Sequence, residues 1–127
     1  MKNYTASGGE QSPNWGIRTP ITVIGECFEP INSLFAKVQL TASRSNSFEL
    51  EDSVVDKQEL KQLNVGWPEP FVLGLLEVLE KTKPQPLRNV RIVLEEVWYH
   101  DVDSCSEALV KAGRDAGRKI LAQANNK

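Results

Sequence analysis

Tyr99-His100-Asp101-Val102-Asp103-Ser104 closes an alternating stretch, Val90 to Trp98, and opens a run at helical spacing that reaches about Ala124. Val90, Ile92 and Leu94 alternate with Arg91 and Val93, which predicts a strand with two unlike faces. Ser104 to Glu107 has the Ser-x-x-Glu spacing whose side chains satisfy the free amides of a helix start, and Asp103 is a rival cap. Strand therefore passes into helix through a turn that holds the only histidine of the chain. In the helix that follows, Leu109 and Ile120 are anchors, while Ala112, Gly113, Ala116 and Gly117 allow the backbone to approach the sheet closely.

Upstream of this unit, Trp67-Pro68-Glu69-Pro70 starts another helix. Proline suits a first turn whose amides lack partners, and Glu69 suits the positive end of the helix dipole. Phe71, Val72, Leu75, Leu76 and Leu79 form an apolar stripe at helical spacing, and Lys83-Pro84-Gln85-Pro86 ends it. Gly74, unfavourable inside a helix, implies close packing on the sheet. Further upstream, Leu34, Ala36, Val38, Leu40 and Ala42 alternate with Lys37, Gln39 and Thr41, which predicts an antiparallel sheet with one wet face. Ile21 to Phe28 reads as an earlier strand, with Ile21, Val23 and Cys27 on one face; Gly25 implies a bulge or a close neighbour. Glu29 to Ser33 connects the two, since Pro30 blocks further pairing. Phe48-Glu49-Leu50 starts a third strand. Glu49 to Glu59 is acidic, opposed only by Lys57, and reads as an exposed excursion with a helical turn around Lys57 to Leu63. The order is strand, strand, strand, helix, strand, helix.

The length of 127 residues fits one domain with a real core. Residues 1–16 are polar and rich in glycine and serine, so they are expected to be disordered, with 17–127 forming a single domain. A net charge of −2 argues against indiscriminate nucleic-acid binding, although it leaves room for a local basic patch. No apolar run approaches the roughly 18 residues that span a bilayer, and the first residues lack the apolar core of a signal peptide. Two cysteines are too few for a secreted disulfide scaffold, so Cys27 and Cys105 read as small buried hydrophobes in a reducing cytoplasm. Their spacing offers no zinc motif.

From Leu87 to Ala116 the chain resembles domain IV of elongation factor G, the ribosomal translocase. That family shows an alternating strand, then Tyr-His-Asp/Glu-Val-Asp-Ser, then a helix opening with Ser-Glu and an Ala-rich core face. Here Tyr99 to Ser104 matches throughout, and Ser106-Glu107-Ala108 matches the helix opening, with Cys105 as an extra residue. The helix containing Gly74-Leu75 is similar to the preceding helix of the family, and Phe48-Glu49-Leu50 to its third strand. The resemblance implies an α+β fold: a split β-α-β two-layer sandwich, with two helices on one face of a mainly antiparallel four-stranded sheet. It also implies a non-enzymatic module without cofactors, whose tip reaches the decoding region of the small ribosomal subunit.

Two loops build that tip in the family. One corresponds to the turn with Tyr99, His100 and Asp101. The other lies between the first two strands, where this chain places Asn32 and Ser33; it is glycine-rich in the family, yet Phe28 to Ser33 contains no glycine. The implied partner is ribosomal RNA or a ribosomal protein. The alternative is an interaction module for another protein, with the fold kept and RNA binding lost. No Gly-x-x-x-x-Gly-Lys-Ser/Thr phosphate loop occurs, so no nucleotide is expected in that manner.

His100 has three readings: a tip residue that donates to phosphate or stacks on a base, a brace for its turn, or an acid–base partner of Asp101 or Asp103. A metal site from these residues is not expected, because a tight turn points its side chains apart and zinc wants four ligands. Lys111, Arg114 and Arg118 share one helical stripe, with Lys119 nearby. Such a stripe suits phosphate contact, or it is a solvated face with Lys111–Asp115 and Asp115–Lys119 pairs.

Overall fold

The computed structural model describes residues 17–55, 66–81, 86–99 and 105–124. The elements run β1 (Ile21–Glu29), a 3-10 turn (Pro30–Asn32), β2 (Leu34–Arg44), β3 (Glu49–Asp52), α1 (Glu69–Glu80), β4 (Val90–Trp98) and α2 (Ser106–Ala124). This is the order expected from the sequence. Phe48 lies just outside β3 and packs on the core instead. The expectations for residues 1–16 and for the helical turn around Lys57 to Leu63 fall outside the described residues.

The four strands form one sheet in the order β1-β2-β4-β3. β1 pairs antiparallel with β2, and β2 antiparallel with β4, while β3 lies parallel to β4. Alternation sorts the sheet cleanly. Ile21, Val23, Cys27, Leu34, Ala36, Val38, Leu40, Ala42, Val90, Ile92 and Leu94 are all buried on one face, where the two helices cover them. The result is the expected α+β two-layer sandwich, mainly antiparallel, with one adjustment. β3 and β4 are direct neighbours, so no strand divides the β-α-β unit that connects them through α1.

One irregularity sets what β4 shows at its far end. Leu40 pairs with Leu94, but Gln39 pairs with Glu96, leaving Glu95 as an extra residue. The bulge keeps both acids off the core face and returns Val97 to it, opposite Val38. The Glu95 carboxylate accepts from Gln39 Nε2 at 2.9 Å and from Thr41 Oγ1 at 2.8 Å, which ties the bulge to the wet face. Two Asp52 oxygens hold the far edge in a similar way, accepting from Trp67 Nε1 at 2.9 Å and from the Val54 amide at 3.2 Å.

The small residues of α2 divide between two neighbours. Gly25 lies against the backbone of Ala112 and Ala116, so its close neighbour is α2 and no bulge occurs there. Gly113 and Gly117 face α1, not the sheet: a Cβ on Gly113 would run into the Phe71 carbonyl, and one on Gly117 would stand 2.9 Å from Val78 Cβ. Gly74 likewise meets the Val110 carbonyl across the helix pair, and not the sheet as expected. The two helices thus approach backbone to backbone, and α2 in turn lies on β1 and β2.

Candidate functional site

β4 ends at Trp98, opposite Lys37, so the β1–β2 hairpin continues beyond it through Ala36, Phe35 and Leu34. The hairpin end carries two apolar side chains into solvent: Ile31 is 98% exposed and Phe28 67% exposed. Phe28 meets Phe35 edge-on, with ring centroids 6.3 Å apart. On the same wet face, Lys37 Nζ stands 5.8 Å from the centre of the Trp98 ring, a cation–π contact. Ile31 and the edge-on Phe28–Phe35 pair thus give the projecting hairpin end an exposed apolar character. Phe28 was legible as an outward residue, since it falls in step with Thr22 and Glu26. Ile31 gave no such signal, because no periodicity extends through the turn.

The turn has a built conformation. Ser33 adopts a left-handed backbone (φ 54°), and its amide donates to the Pro30 carbonyl at 3.1 Å. Glu29 holds the turn to α2: its carboxylate accepts from Asn32 Nδ2 at 2.9 Å and from Lys111 Nζ at 3.1 Å. The Asn32 bond first, then Lys111, keeps this carboxyl below the usual glutamate range. The bond to Glu29 in turn raises the Lys111 ammonium above its ordinary value. Lys111 also approaches Glu107 at 3.5 Å. Cys27, buried beneath, has its thiol pushed up by burial and then by the Glu29 charge, so it is held in the inert protonated form.

Of the expected site residues, Asn32 and Ser33 lie in this turn. Tyr99 is half-buried and packs against the core. His100 and Asp101 fall outside the described residues, as do the two cap candidates Asp103 and Ser104. Lys111, Arg114 and Arg118 line one groove of about 300 Å³ with Glu26 to Glu29 of β1 and with Asp115. They are not, however, a free cationic stripe. Lys111 is bonded to Glu29, and Arg114 Nε donates to Glu77 Oε1 at 3.2 Å. The expected Asp115–Lys119 pair forms at 2.9 Å, whereas Lys111 turns to Glu29 and Glu107 and not to Asp115. Arg118 is exposed and has no partner among the described residues.

Two contacts that the sequence did not disclose secure the open edge of β1. The Glu26 amide donates to Asp115 Oδ2 at 3.0 Å, and Lys119 Nζ donates to the Ile24 carbonyl at 2.6 Å. Spacing along α2 reveals the Asp115–Lys119 pair but not that its two ends reach a strand 89 and 95 residues away.

The arrangement is that of a two-layer α+β sandwich with one hairpin that projects past β4. A solved protein from Thermus thermophilus shares the fold, with a TM-score of 0.73 and 18% identity over 92% of this chain. This chain spans 18% of the length of that protein. The likeness is one of fold, and it is consistent with the domain-IV-like architecture expected from the sequence. No family model matches the chain, and no curated protein matches it. Among the described residues, no helix is long and apolar enough to cross a membrane.

Proposed function

We propose that this chain is a non-enzymatic binding module of the elongation factor G domain IV kind, which meets the small ribosomal subunit with the end of the sandwich that holds the β1–β2 turn. The observation that carries this reading is the hairpin end itself, which projects past β4 with Ile31 and Phe28 uncovered. Tyr99, the first residue of the Tyr99 to Ser104 motif, directly follows β4 at that same end. Co-sedimentation with purified small ribosomal subunits tests the reading, comparing wild type with His100→Ala and Ile31→Asp. Retention at low salt, weakened by both substitutions, supports it. No retention at low salt rejects it.

A second reading has its own support. Lys111 and Arg114 are neutralised by Glu29 and Glu77, and the turn holds Glu29 where glycines would admit RNA backbone. A module that recognises another protein fits this charge balance better than one that tracks phosphates. Affinity capture of a single protein partner, unchanged by nuclease treatment, would favour it over ribosomal RNA.

A further inference from the structure

We infer that the uncovered face of the sheet, at its hairpin end, is a docking surface for a basic amphipathic helix of a partner protein. This surface shares only the hairpin end with the ribosomal reading and does not need the ribosome, so isolated peptides test it whether or not subunits bind.

The two helices cover one face of the sheet, and no other element among the described residues covers the opposite one. Register places Phe28 directly opposite Phe35, and Lys37 opposite both Glu26 and Trp98. Phe28, Phe35 and Trp98 thus form an aromatic corner on the wet face, with Ile31 uncovered at the turn that joins β1 to β2. Phe28 at 67% and Ile31 at 98% exposure leave apolar area in water that contact with another apolar surface would remove.

Charge selects the partner. Glu26, Glu49, Glu51, Glu95 and Glu96 lie on this face or its rim, against Lys37 and Arg91. Arg91 serves both Glu49 and Glu51. Lys119 reaches Glu26 from α2 but also holds Asp115, so adding that pair leaves the acidic excess unchanged. Lys37 has its ammonium over the Trp98 ring, and the Glu95 carboxylate meets hydrogen-bond donors but no cation among the described residues. Glu96 is exposed and has no partner among the described residues. Such a surface repels phosphates, whereas lysine and arginine side chains complement it.

The backbone selects the form of that partner. β2 and β4 each lie between two strands, so the face offers side chains and not a free edge. A segment laid on it must satisfy its own amides, as a helix does. An amphipathic helix would set apolar side chains against Phe28, Phe35 and Trp98 and basic ones toward Glu95 and Glu96, adding a third layer to the sandwich.

The test uses the full chain and fluorescein-labelled peptides of about 18 residues, long enough to hold a helix. Anisotropy measures affinity, and amide chemical shifts map the surface. A peptide with leucine on one helical face and lysine on the other is expected to bind, and to move the signals of Phe28, Phe35, Lys37 and Trp98. Phe28→Ser should weaken it by about tenfold and Glu96→Lys by about threefold or more, with far-UV circular dichroism unchanged. Glu69→Lys, the same change of charge on the exposed side of α1, should leave the affinity within about twofold of wild type. Equal binding of a leucine–glutamate peptide, or of a serine–lysine peptide without leucine, would overturn the inference. So would unchanged affinity in Phe28→Ser or Glu96→Lys, an equal loss in Glu69→Lys, shifts confined to the helices, preference for single-stranded oligoadenylate, or no binding at millimolar peptide.

Discussion

Glu29 ties the hairpin turn to α2 through Asn32 and Lys111, and this gives the turn a defined response to acid. The folded carboxyl sits below its unfolded value of about 4.3. A lowered value means that the contribution to stability is full above the unfolded value and fades as pH falls through the folded one. Glu29→Gln is therefore expected to lower the urea midpoint at pH 7, with the gap to wild type closing below about pH 4. The raised ammonium of Lys111 runs the other way: its share is complete below about 10.4 and is lost as pH rises through the folded value. A second residue has no latitude at all. A Cβ at Gly25 would strike the Ala112 carbonyl oxygen and stand 2.6 Å from Ala116 Cβ, neither of which can give way without moving α2. Gly25→Ala should cost about 1–3 kcal/mol, read as a fall of several degrees in the thermal midpoint.

Among the elements, β4 and α2 do most to place the site. The Glu95 bulge lets Leu94 and Val97 both face the core, although strict alternation would put residues at that odd separation on opposite faces. Removal of the extra residue leaves Leu94, Glu96, Val97 and Trp98 in step with their present partners. Deletion of Glu95 is thus expected to retain the fold by circular dichroism, at a cost of about 1 kcal/mol for the lost Gln39 and Thr41 hydrogen bonds. A fully unfolded deletion variant would refute the assignment of Glu95 as the bulged residue. α2 is divided differently, with each of its sides given to one neighbour. Ala112 and Ala116 meet β1, Gly113 and Gly117 meet α1, and Lys111, Asp115 and Lys119 reach the strand edge and turn.

At the scale of the molecule, one continuous core runs from Ile21 of β1 to Ala124 of α2, with no second cluster among the described residues. A single core predicts a single transition. Far-UV circular dichroism and tryptophan fluorescence should report coincident thermal unfolding, and separated midpoints would contradict it. Much of this architecture was legible in the chain, because alternation in β2 and β4 and the stripe in α1 state which face is buried. The site was legible only in part. Period-two spacing points Phe28 outward, but the pairing of Lys111 with Glu29 and of Arg114 with Glu77 joins residues far apart in sequence, which no local pattern encodes. The same holds for Gly74, whose partner is a helix that comes later in the chain.

The guarded centre of β1, at Ile24 and Glu26, has a consequence for how the protein breathes. An amide on the outermost strand ordinarily trades its hydrogen with water quickly, yet that of Glu26 is engaged by a carboxylate borrowed from the helix overhead. It should exchange slowly into deuterium, and Asp115→Ala should make it fast while leaving Gly25, which faces β2, protected. Motion at this rim is then governed by α2, so that loosening the helix and unzipping the strand are one event.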